Sequence, residues 1–135
     1  MSPIKRAQFT LAVVSLVSGA LGVALASGPL TNRSGSDVGY GGLELHLMSF
    51  NRLGGLIAVG LGVVALIGAL KSQRSVVAAS AVGFALFALQ TLIGDRQLDG
   101  GNITGANGAT LSFCMMMAVG LGVLAWFDRA LDVSA

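Results

Sequence analysis

The sequence predicts an all-α integral membrane protein, a four-helix bundle made of two antiparallel hairpins with both termini in the cytoplasm. Three observations predict it. The chain is 54% hydrophobic and only 10% charged, whereas an ordinary soluble domain carries about 25% charged residues. Its apolar residues gather into four runs, each close to the roughly 20 residues a helix needs to cross a bilayer core of about 30 Å. None of these runs contains Asp, Glu, Lys, Arg or His.

The runs cover about 9–28, 53–70, 75–94 and 110–127, and residues 1–135 read as a single transmembrane domain. Lipid offers backbone groups no hydrogen-bond partner, so a spanning segment is a helix or part of a closed barrel. Unbroken apolarity, rather than alternation, selects the helix. Before the first run stand Lys5 and Arg6, and near its end the small triplet Ala24, Leu25, Ala26, a pattern that also describes a secretory signal peptide. The run is long enough to span, and a retained first helix is expected.

The first external loop, 29–52, opens with Gly, Ser, Asn and Asp, the composition of turn-rich exposed chain. Its end alternates Leu43, Leu45 and Leu47 with Glu44 and His46, which fits a short strand or an interfacial lead-in to the second helix. The link from Lys71 to Arg74 is so short that the second and third helices are expected as antiparallel neighbours. The second external loop, 95–109, is polar and glycine-rich.

Charge sets orientation. Lys5, Arg6, Lys71, Arg74 and Arg129 fall on the side of the termini; Arg33, Arg52 and Arg96 fall on the other, with Asp37, Glu44, Asp95 and Asp99. This bias in short flanking segments places the termini inside a bacterial plasma membrane. Phe9, Trp126 and Phe127 are expected as anchors at the inner interface, and Tyr40, Phe50 and Phe113 at the outer one. The net charge of +2 is scattered over helix ends, without a basic patch or RNA-binding motif, so nucleic acid is not an expected partner.

Small residues recur at helical spacing: Ser18, Gly22 and Ala26 in the first run; Gly54, Ala58 and Gly62 in the second; Ala81 and Ala85 in the third; Ala118 and Gly122 in the fourth. Positions four apart share a helix face, and small side chains there let backbones approach where lipid removes the hydrophobic effect. Such ladders either pack the four helices together or present one face to a second subunit. The hexapeptide Ala-Val-Gly-Leu-Gly-Val occurs at 58–63 and again at 118–123, a hint that the two hairpins repeat one unit.

Candidate chemistry is sparse. Glu44, His46 and Arg52 form a polar cluster before the second helix, but one imidazole and one carboxylate fall short of the ligand set of a metal or haem site. Cys114, Met115, Met116 and Met117 are consecutive, so their sulfurs point to different helix faces and read as packing filler. Gln90 and Thr91 are the polar pair inside the third run, suited to an interhelical hydrogen bond or, in the sharper reading, a pore lining. Coupled transporters place an ionisable group inside the membrane, and these runs have none. No catalytic constellation, phosphate loop or zinc motif is visible, and neither catalysis by the chain alone nor a cofactor is expected.

His46 and Asn51 before the second helix, and Asn107 before the fourth, give two hairpins whose polar external loops each end near an Asn. In this layout the chain resembles a family of small actinobacterial membrane proteins known only as a domain of unknown function. That family has a tighter His-Asn cluster leading into its second helix, and this sequence departs from it. The resemblance implies the four-helix layout and no activity.

The function expected from these residues is a non-catalytic subunit that packs against itself or a larger membrane complex. Two other roles fit the same features: a small oligomeric channel or facilitator for an ion or uncharged solute, and an enzyme-complex subunit lending external-loop residues to a partner's site.

Overall fold

The computed structural model describes residues 2–25, 36–38, 48–97 and 108–134. Among them, four helices carry the fold: α1 (Pro3–Leu25), α2 (Arg52–Leu70), α3 (Arg74–Gln97) and α4 (Gly108–Ser134). Each contains a stretch long and apolar enough to cross a membrane, with mean hydropathy between 1.8 and 2.4. Two three-residue strands, β1 (Ser36–Val38) and β2 (Met48–Phe50), pair antiparallel with Asp37 opposite Ser49. This ribbon lies within a segment whose composition signalled only turns at its start, because three residues are too few to establish an alternating pattern.

The helices start and stop where local chemistry dictates. α1 begins at Pro3, six residues before its apolar run, because Ser2 caps it: the Lys5 amide donates to Ser2 Oγ at 3.2 Å. Proline at the first helical position has no amide left to satisfy. Lys5 and Arg6 therefore lie inside the first turns rather than before the helix. Asn51 caps α2 from an extended conformation, its Oδ1 accepting from the Gly54 amide at 2.9 Å, and it is fully buried. At the other end of α2, Gln73 N–H donates to Gly68 O at 2.8 Å and Ser72 sits at φ 56°. This is a Schellman ending with serine in the left-handed position usually held by glycine. The chain turns within three residues and re-enters a helix at Arg74.

α1 packs most extensively on α2 and α3 on α4, with smaller α2–α3 and α1–α4 contacts. The core combines alanines on α1, α2 and α3 with large side chains on α3 and α4: Phe84, Phe87, Phe113, Met117 and Leu121. Phe113 is 8% exposed and meets Phe84 edge to face at 6.4 Å between ring centroids. It is a core residue, not the interfacial anchor its position suggested. Phe9, Trp126 and Phe127 face outward.

The Asn51 cap gives a first prediction. Asn51→Ala should lower stability by about 1 kcal/mol, while Asn51→Ser, which keeps an acceptor, should recover most of it. Thermal unfolding of the detergent-solubilised protein, followed by helical circular dichroism, reads the difference; equal midpoints for both variants and the parent would show that the cap contributes nothing.

Candidate functional site

The described residues offer one kind of organised site, the interfaces between helices. Its tightest point lies between α1 and α2. A Cβ placed on Gly19 would stand 2.7 Å from both Gly55 O and Val59 N; one placed on Gly55 would stand 2.8 Å from Gly19 O and Val23 N. The contact is thus backbone against backbone, and neither position has room for even a methyl group. Further along, a Cβ on Gly62 would lie 3.0 Å from Leu16 N and 3.1 Å from Ala12 O, and one on Gly68 would lie 2.9 Å from Val77 N in α3. Such approach multiplies dispersion contacts and permits weak Cα–H to carbonyl interactions, attractions between helices that do not depend on water.

Buried hydroxyls reinforce these seams. Ser15 Oγ donates to Ala58 O in α2 at 2.8 Å, and Ser80 Oγ on α3 donates to Leu61 O at 2.9 Å. Thr91 Oγ1 donates within its own helix to Phe87 O at 3.0 Å. Ser18 and Thr110 are also fully buried and have partners. The exception is Gln8. It is 1% exposed, and its Nε2 has no hydrogen-bond partner.

The small-residue ladders distribute unevenly. Ser18 and Gly22 on α1, and Gly54, Ala58 and Gly62 on α2, are buried; so is Ala81 on α3. Ala118 and Gly122 on α4 are half-buried, whereas Ala85 is exposed. The interior of α3 follows Val77, Ser80, Ala81, Phe84, Phe87, Ala88 and Thr91, a stripe that turns Ala85 outward. Ala26 lies outside the described residues. The backbone contacts at Gly19 and Gly55 sit one position along from the predicted rows Ser18/Gly22 and Gly54/Ala58. Their signal was present as the four-residue spacing of Ser15 and Gly19.

Of the polar cluster, Arg52 is exposed at the first position of α2, and Glu44 and His46 lie outside the described residues. Gln90 is half-buried with a partner and Thr91 is buried. Cys114 and Met117 point inward while Met115 and Met116 are 54% exposed, so the sulfurs diverge. Among the described residues, no three His, Cys, Asp or Glu side chains are grouped to hold a metal ion. Gln8 stands directly before the apolar run that opens at Phe9, among the polar residues Lys5, Arg6 and Thr10, and no pattern in the sequence marks it as buried.

One end of the bundle is basic. Lys5 Nζ on α1 donates to Ser72 Oγ in the α2–α3 turn, next to exposed Lys71 and two residues from exposed Arg74. No protein-family model, curated protein or solved structure matches this chain.

Two predictions test the interface. Gly55→Ala should destabilise the bundle by about 1–3 kcal/mol, because the new methyl meets rigid backbone. Gly60→Ala, where a Cβ has nothing within 4 Å, should leave stability unchanged or raise it by up to about 1 kcal/mol through helix propensity. Denaturant titration in detergent compares them; equal loss in both would mean the Gly19–Gly55 contact carries no special weight. Gln8→Leu should stabilise the protein by about 1 kcal/mol, since an unpaired buried donor is removed. Ser15→Ala should lose roughly 0.6 kcal/mol, the scale of one interhelical hydrogen bond. A destabilised Gln8→Leu would show that the amide is partnered in the membrane.

Proposed function

We propose that this chain is a non-catalytic integral membrane subunit of two antiparallel hairpins, held in a bacterial plasma membrane with both termini in the cytoplasm. It packs through its outer face against copies of itself or a larger membrane complex. The observation that carries this reading is how the interior is used. Most buried polar side chains are paired, several of them with backbone carbonyls, and Phe84, Met117 and Leu121 fill the middle. Among the described residues, little remains inside to bind a substrate or line a path.

The outer face supports the same reading. Only 33–39% of each span's residues are buried within one chain. On α3, Val82, Leu86, Leu89 and Ile93 are exposed with Ala85 among them; on α4, Met115, Met116, Val119 and Val123 are exposed. Ala85 is the member of the small-residue ladders that is exposed, and it leaves a notch among larger outward side chains. An outward alanine flanked by larger apolar side chains offers a notch that suits a second helix better than it suits lipid alone.

Size determination in mild detergent, after purification from the native membrane, tests the proposal. An assembly larger than one chain is expected, and Ala85→Leu should weaken it while leaving helical content unchanged. A lone monomer without any accompanying protein would sink it. The unpaired amide at Gln8 favours a second reading, an oligomeric channel or facilitator for a small solute. Flux into proteoliposomes that disappears in Gln8→Leu would establish that alternative over the first.

A further inference from the structure

The two hairpins carry the same hexapeptide, yet its glycines meet different surroundings. Gly62 on α2 is pressed against the α1 backbone at about 3 Å, whereas a Cβ on its counterpart Gly122 would meet nothing of α3 closer than Ala81 Cβ at 3.9 Å. α3 and α4 meet through the bulky pair Phe84 and Phe113, and toward the basic end the seam between them is left open. There it forms a groove of about 260 Å³ lined by Arg74, Ser75, Ala78, Gly122, Ala125 and Trp126.

We propose that this groove binds an anionic glycerophospholipid, with the headgroup phosphate at Arg74 and Ser75 and an acyl chain along Ala78, Gly122 and Ala125. The inference rests on membrane insertion as proposed above and goes beyond it. The shape points this way first: Arg74, Ser75, Ala78 and Trp126 are all exposed, so the groove is a trough open along its side. Its volume also falls below the roughly 300–1,000 Å³ of enclosed small-molecule pockets. An open trough suits a ligand that already lies alongside the helices.

Position is the second argument. Arg74 begins the apolar stretch of α3, and Trp126 lies two residues before the end of that of α4, so the groove straddles the level where hydrocarbon gives way to headgroups. Tryptophan is favoured at that level, and arginine can pair a phosphate in a bidentate manner there.

Charge supplies the third argument. Among side chains described at this end, Lys5, Arg6, Lys71 and Arg74 are basic and Asp128 alone is acidic. The partial positive charge of the α3 N-terminus adds to them. A net positive field at headgroup level selects an acidic lipid over a zwitterionic one.

Trp126 is the only tryptophan in the chain, and it lines the groove, so its fluorescence reports the occupant directly. The full chain is reconstituted in phosphatidylcholine vesicles in which an equal mole fraction of either phosphatidylglycerol or phosphatidylcholine carries brominated acyl chains. Brominated phosphatidylglycerol should quench Trp126 with a relative binding constant about five-fold higher, the preference one basic contact confers near the membrane surface. Arg74→Gln should abolish the preference and Arg74→Lys should keep most of it. Ala78→Leu, a substitution at an exposed position, should block the trough and lower quenching by phosphatidylglycerol; Arg52→Gln at the opposite end should change nothing. Equal quenching by the two lipids, or a preference that survives Arg74→Gln, would overturn the proposal while leaving insertion intact. Quenching by neither lipid would overturn the proposal together with insertion.

Discussion

The structure hangs on the backbone contact between Gly19 and Gly55. Inside a bilayer, apolar side chains gain nothing by leaving lipid for one another, so two helices must find attraction in closer packing or in polar contacts. At Gly19 and Gly55 they find the first, with main chains in mutual contact and the Val23 and Val59 side chains closing against the glycines. One turn away they find the second, where Ser15 reaches the Ala58 carbonyl. The same device recurs across the α2–α3 turn, with Gly68 against Val77 and Ser80 bonded to Leu61 O. α1, α2 and the start of α3 thus form a continuous sheet of close seams, and the register of one fixes the next.

The fourth helix is held differently. Its contacts with α3 pass through the edge-to-face pair Phe84–Phe113 and the buried side chains of Met117 and Leu121. Bulky side chains set a wider separation than glycines do. A bundle joined by backbone contact on one side and by aromatic spacing on the other cannot be uniformly tight, and the slack appears where the large residues run out. Beyond Leu121 toward the basic end, the α3–α4 seam offers Gly122, Ala125, Ala78 and Ser75, small residues that line the groove.

Much of this was legible in the sequence at the level of elements and little at the level of faces. Four uncharged runs gave the four helices, because length and apolarity are properties of a segment regardless of its neighbours. Which row of small residues makes contact is a matter of rotation, and adjacent rows such as Ser15/Gly19 and Ser18/Gly22 differ by less than the breadth of a buried face. Both rows are in fact buried. Ala85 turned outward for the same reason: the interior stripe of α3 runs through Phe84, which meets Phe113, and Phe87, and the rotation that buries them leaves the alanine outside. Gln8 was hidden by the habit of starting a span at its first apolar residue, whereas the Ser2 cap starts the helix six residues sooner.

These seams bear on where function can reside. A polar group inside a membrane protein is costly unless paired, and a paired group is no longer available to a substrate. Ser15 and Ser80 donate to carbonyls of α2 and Thr91 to its own helix, so these hydroxyls stabilise the bundle and are withdrawn from recognition. Two surfaces remain where the described bundle has not closed on itself: the outward stripe around Ala85 and the trough beside Trp126. On the proposals above, a second helix covers the first and an anionic lipid occupies the second. A small bundle that leaves two differently shaped faces unfinished can, on these proposals, distinguish two kinds of partner without an enclosed site.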